Sequence, residues 1–202
     1  KDIQTAAGPA EYPSNIQIRG YKPNESVHIG QLKKAYKMLK SAKKPLILAG
    51  GGVNISHAGE KLKKFMEKEN VPVVTTIMGK GAVPTTHPLY IGNCGMHGKY
   101  AANMAVMECD LLFSIGTRFN DRITGDLNEF APHAQIVHID VDTASISRNV
   151  VVDVPVVADA GVALEKLLEW AEKKDTAKWQ EQIHRWEKEN PLAMRRDRGI
   201  SP

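Results

Sequence analysis

Four short runs, PLILA, VPVV, LLFSI and IVHI, are apolar almost throughout, and each gives way at its end to glycine, threonine or charge. Between them lie stretches whose apolar residues recur every three or four positions. A strand exposed on one face alternates apolar with polar residues, so a strand apolar along its length is buried on both faces. Strands of that kind are usually parallel, and the right-handed crossovers that join them lay helices on both sides of the sheet. With a shorter candidate, PVVAD, near residue 157, the pattern predicts an α/β fold: a doubly wound, mostly parallel, six-stranded sheet with helices on both faces.

The helical stretches agree. From 26 to 41, Ile29, Leu32, Tyr36 and Leu39 share one face and Lys33, Lys34, Lys37 and Lys40 the other. A second helix is expected to start at a Ser56 cap, with Leu62, Phe65 and Met66 inward. Others are expected over 99–108, near Leu127, around Val162, Leu164, Leu167 and Leu168, and around Trp179, Ile183 and Trp186. Residues 1–24 are rich in glycine and proline and read as a connector from a preceding domain. Residues 25–172 form the nucleotide-binding α/β domain, and 173–202 a helical extension and linker to a following domain. A first residue that is Lys1, with no signal-like pattern and no run long enough for a membrane span, leads to the expectation of a soluble, cytoplasmic piece of a longer polypeptide.

The 27 basic and 23 acidic residues are well mixed, and only 6% of residues are aromatic, so neither a nucleic-acid nor a membrane partner is expected. Cys94 and Cys109 lack metal-ligand spacing and read as buried reduced thiols, and no histidine set has zinc spacing.

In an open parallel sheet, ligands bind beyond the carboxyl ends of the strands. Gly50, Gly51 and Gly52 there can either cradle a phosphate with backbone N–H groups or simply make a tight turn, and their spacing is not that of a dinucleotide fingerprint. TTIMG (75–79) follows the second run. GNCGMHG (92–98) brackets Met96 and His97 with glycines in a stretch expected to be flexible. GTRFNDRITG (116–125) sets Arg118 and Arg122 directly behind a buried strand, where a guanidinium can grip a pyrophosphate. Asp140 in HIDVD stands where ribose-binding acids often do. Together these residues suggest a nucleotide with phosphates and no covalent chemistry.

KPLILAGGGV, GMHG, GTRFNDRITG and VHIDVD, in this order and with Lys1-Asp2 at the front, closely resemble the central domain of the acetolactate synthase catalytic subunit, a thiamine-diphosphate enzyme also called acetohydroxyacid synthase. The resemblance implies a three-domain enzyme that condenses two pyruvates to 2-acetolactate, or pyruvate with 2-oxobutyrate, in branched-chain amino-acid biosynthesis. Its outer domains bind thiamine diphosphate and Mg²⁺, and its central domain binds FAD. It further implies a homodimer or homotetramer, with a regulatory small subunit as a partner.

Residue by residue, the resemblance assigns Gly50, Gly51, Gly52, Gly116 and Thr117 to the adenosine-diphosphate part of FAD. Thr76, Ile77 and Met78 border the flavin end, Gly95, Met96 and His97 approach the ring, Arg118 and Arg122 contact the cofactor, and Asp140, Val141 and Asp159 lie near the adenosine. Lys1 and Met96 resemble residues of the substrate channel. Asn120 departs from the aspartate usual in the family. No catalytic residue and no metal ligand is expected in this chain, which alone should be inactive. The alternatives are the central domain of a different thiamine-diphosphate enzyme, holding ADP or nothing, and a purely structural assembly module.

Overall fold

A computed structural model of the protein describes residues 2–9, 14 and 26–192. Lys1, most of the expected connector and the end of the chain lie outside the described residues.

The six strands are β1 (Pro45–Ala49), β2 (Val73–Thr75), β3 (Tyr90–Asn93), β4 (Leu111–Ile115), β5 (Gln135–Asp140) and β6 (Val154–Val157). All neighbouring pairs are parallel, in the order β3-β2-β1-β4-β5-β6. The expected doubly wound six-stranded sheet is therefore present. Its third strand, Tyr90–Asn93, overlaps the glycine-rich stretch that the sequence reads only as a loop.

Every residue of β1 and of β4 is buried, because each strand feeds two cores. Ile47, Ala49, Phe113 and Ile115 face one core, which includes residues of α2 (Ile29–Ser41), α4 (Gly59–Glu69) and α7 (Ala160–Trp170). Leu46, Leu48 and Leu112 face the other, with α5 (Tyr100–Glu108) and α8 (Ala177–Glu189). The register sets Ile47 between Val73 and Phe113, which lines up large side chains across the sheet. α8, which the sequence assigns to an extension, buries Trp179 and Ile183 in the second core, and the Trp179 indole N–H donates to the Pro45 carbonyl at 3.0 Å.

Two helix expectations are corrected. Ser56 caps no helix after it: α3 (Gly51–Ile55) begins directly after β1 and Ser56 closes it, while α4 starts at Gly59. The Ser56 hydroxyl instead bonds Asp159, and together they receive the Gly161 amide at the start of α7. Similarly, the short helix expected near Leu127 is α6 (Asp121–Thr124), stopped by Gly125 at φ 58°. Leu127 follows it, exposed in a turn. The remaining α-helical turn, α1 (Asp2–Thr5), buries nothing.

Cys94 and Cys109 are buried and unpaired. Burial pushes the Cys94 thiol up to about 12 and the Cys109 thiol higher still, so both stay protonated near neutrality. Among the described residues no helix is long and apolar enough to cross a membrane.

Candidate functional site

The strand order reverses direction between β1 and β4, where the chain leaves β1 for one side of the sheet and returns through β4 on the other. The crossovers diverge there and leave a crevice at the carboxyl edge. The turns that follow the two strands meet backbone to backbone. Gly50 N–H donates to the Ile115 carbonyl at 2.9 Å and Gly52 N–H to the Gly116 carbonyl at 3.0 Å. A Cβ on Gly50 would sit 2.1 Å from the Gly116 oxygen, and one on Gly52 would sit 2.7 Å from the Gly116 Cα. Gly116 itself has φ 62°, a conformation that favours glycine. Gly50, Gly52 and Gly116 are thus required by the approach of two turns, and Gly51 and Gly52 start α3.

A cleft of about 590 Å³ opens over this junction. Of the residues singled out from sequence, Gly51, Gly52, Thr76, Ile77, Met78, Met96, His97, Gly116, Thr117, Arg118 and Arg122 line it. Gly50 lies beneath, within the backbone junction, and Gly95 lies one residue outside. Asp140 ends β5 to one side, Val141 follows it, and Asp159 is occupied as the N-cap of α7, its Oδ1 accepting from Gly161 and Val162. Lys1 lies outside the described residues.

Each wall is held by a specific bond. Thr76 caps a single 3-10 turn (Ile77–Gly79) by accepting from the Gly79 amide, and the Asn54 carboxamide donates to the Met78 and Lys80 carbonyls at 2.9 and 3.1 Å. Gly95 is clamped by both ends of the Asn103 carboxamide, at 2.8 and 3.1 Å, and Met96 N–H donates to the Arg122 carbonyl at 2.9 Å. Residues 94–98 therefore form a hydrogen-bonded turn directly after β3. Gly95 at φ 100° lets it close against α6, since a Cβ there would meet the Arg122 oxygen at 2.5 Å.

The electrostatics are one-sided: the fixed charges on the lining are Arg118 and Arg122, with no carboxylate among the lining residues. Arg122 lies 3.8 Å from the exposed Asp121 carboxylate and points an N–H at the Met96 sulfur. Around the mouth Ile55, Ile77, Met78 and Met96 are 82, 61, 73 and 63% exposed, an apolar rim beside the two cations. The guanidinium pair, the glycine junction and the uncovered apolar rim fit a ligand with an anionic group at one end and an apolar surface at the other.

Sequence reading missed Ile55, Asn93, Cys94 and Ile123 as lining residues, and marked Asn120 only as a departure. Ile55 had a usable signal, because a helix that begins at Gly51 puts it one turn on from the glycines.

Residues 32–167 match the family model described as thiamine pyrophosphate enzyme, central domain. The chain is 46% identical over 209 residues to a probable acetolactate synthase large subunit of Methanocaldococcus jannaschii, covering all of this chain and 35% of that protein. It is 52% identical over 156 residues to a protein of the same description from Methanococcus aeolicus (77% and 26% covered), and 40% identical over 195 residues to the acetolactate synthase isozyme 3 large subunit of Escherichia coli (92% and 34% covered). The chain spans about a third of the length of the curated relatives it matches. A family match that takes in well over half of the residues, on a sheet whose cleft lies at its switch point, places this chain in the family of thiamine pyrophosphate enzyme central domains.

Proposed function

We propose that the chain is the FAD-binding central domain of an acetolactate synthase large subunit. The observation that carries this reading is the cleft itself, where the glycine junction, Arg118, Arg122 and the apolar rim converge. The relatives' names support the enzyme assignment. The diphosphate would lie against the backbone of Gly51, Gly52, Gly116 and Thr117 and be held by Arg118 and Arg122. Thr76, Ile77, Met78, Met96 and His97 would border the flavin, and Asp140, Val141 and Asp159 would stand toward the adenosine. FAD supplies a redox-active ring that takes no net part in the condensation. The whole enzyme would join two pyruvates, or pyruvate and 2-oxobutyrate, in the cytoplasm with thiamine diphosphate and Mg²⁺ held by the flanking domains, as a homo-oligomer with a regulatory small subunit.

The test is FAD retention by the full-length polypeptide. Arg118→Ala removes a charge-assisted contact and is expected to weaken FAD binding about fiftyfold. Lys63→Ala, on the α4 surface away from the cleft, should leave it unchanged. Equal FAD content in the two purified variants overturns the assignment.

A second expectation concerns the chain alone. The apolar rim stands uncovered here, so the burial of ring and rim against flanking domains, on the order of 25 cal/mol per Å², is absent from the isolated chain. It should bind FAD more weakly than the full-length polypeptide and form no acetolactate from pyruvate. Calorimetric titration of both and a product assay check this, and equal affinity or any acetolactate counts against it.

A further inference from the structure

Arg118 is exposed, yet the residues on either side of it are buried and tied down from below the cleft. The Thr117 hydroxyl lies 2.6 Å from the Ser114 hydroxyl, and the Thr117 carbonyl accepts from His138 Nε2 at 2.7 Å. Phe119, at φ 47°, adopts a left-handed conformation that costs a bulky residue energy. Its ring meets the His138 ring edge to face at 4.9 Å and Phe130 at 5.9 Å, and its carbonyl accepts from the Asn149 carboxamide at 3.0 Å.

His138 is fully buried on β5 and makes no direct contribution to the lining of the cleft. A carbonyl can only accept, so Nε2 carries the proton. Among the described residues Nδ1, also buried, has no partner. An orphaned polar atom in a core is unfavourable, and a leucine here would avoid it. Leucine could make neither the Nε2–H bond to Thr117 nor the ring contact with Phe119, and the Asp140 carboxylate lies 3.7 Å from Nε2 on the same side.

We infer that His138, together with Asn149, is a positioning residue that presets the Thr117–Phe119 turn so that Arg118 is aimed before a diphosphate-bearing ligand arrives. Ordering of the turn is then complete in the ligand-free protein, which removes that cost from binding. The ligand class rests on the cofactor reading above; the ordering of the turn does not.

Two measurements on the full-length polypeptide separate these. The first is FAD affinity after cofactor removal and addition. His138→Leu is expected to weaken binding about tenfold, from loss of one buried hydrogen bond. His138→Gln, whose carboxamide can return a donor near Nε2, should stay within about threefold of wild type. On an Arg118→Ala background, His138→Leu should add no further loss, because its effect runs through the guanidinium. A general loss of stability would instead add. The second is amide exchange without ligand, expected to quicken across residues 115–122 in His138→Leu while β1 is unchanged. Asn149→Ala cuts the other tie from outside the core, should show both changes at smaller size, and carries the test if His138→Leu does not accumulate. Additive losses on the Arg118→Ala background, or unchanged exchange over the turn, overturn the inference. Quickened exchange in a protein whose wild type does not bind FAD sinks the cofactor reading and leaves the positioning role standing.

Discussion

Gly50→Ala is expected to destabilise the domain by about 3 kcal/mol or more, at the upper end for a single added methyl group. Most small-to-large changes are absorbed by side chains that shift. Here the new Cβ would lie 2.1 Å from the Gly116 oxygen and 2.6 Å from its carbonyl carbon, so backbone must move against backbone. The two turns belong to adjacent central strands that pair from Pro45 opposite Leu111 to Ala49 opposite Ile115. Separating them breaks the Gly50–Ile115 and Gly52–Gly116 hydrogen bonds and opens the floor of the cleft as well. Gly125→Ala is the comparison: its backbone at φ 58° and ψ −128° strains an alanine, but nothing among the described residues lies within 4 Å, and a cost of about 2 kcal/mol is expected. Denaturant unfolding of both variants checks this, and a Gly50→Ala midpoint no lower than that of Gly125→Ala would show that the junction yields.

Glu69→Ala should also cost about 3 kcal/mol, for a different reason. Glu69 ends α4 with its side chain fully buried. One oxygen accepts from the Tyr36 hydroxyl and from the Glu172 amide, both at 2.9 Å, and the other lies 3.9 Å from the Lys40 ammonium. Three parts of the chain, α2, α4 and the segment after α7, converge on this carboxylate. Deleting it leaves the half-buried Glu172 N–H without its acceptor and a void between helices.

Tyr36 adds a pH signature to the same cluster. Desolvation first, then its bond to Glu69 and that residue's charge, push the phenol well above its ordinary value of 10.0. A group whose folded value is raised contributes stability that is complete below the unfolded value and is lost as pH climbs toward the folded one. The stability difference between wild type and Tyr36→Phe should therefore be constant from pH 7 to about 9 and narrow above about 10. A difference that stays flat to high pH would exclude the phenol as the source.

Much of this architecture could be read in advance because its causes are local. Short, continuous apolar runs such as LLFSI, bounded by glycine and charge, have the pattern of central strands of a covered sheet, and the spacing of Leu32, Tyr36 and Leu39 buries one helical face. The errors also have physical causes. Ser56 carries a strong capping side chain, but Gly50 can enter a helix without one because its extended backbone already exposes the right groups. The stretch 92–98 looks loose by composition, yet Asn103, a full turn into α5, clamps it through contacts no local pattern announces.

Periodicity and residue chemistry, which act over a few neighbouring positions, suffice for the layered fold, the two arginines behind β4 and the glycine turns that face them. Long-range packing is what makes Gly50, Gly52 and Gly116 interlock, brings Ile55 and Cys94 into the cleft, and ties His138 to the Thr117 carbonyl next to Arg118. These depend on close approaches between segments up to 66 positions apart in the chain, as from Gly50 to Gly116, which backbone packing at the switch point creates and no single window of sequence contains.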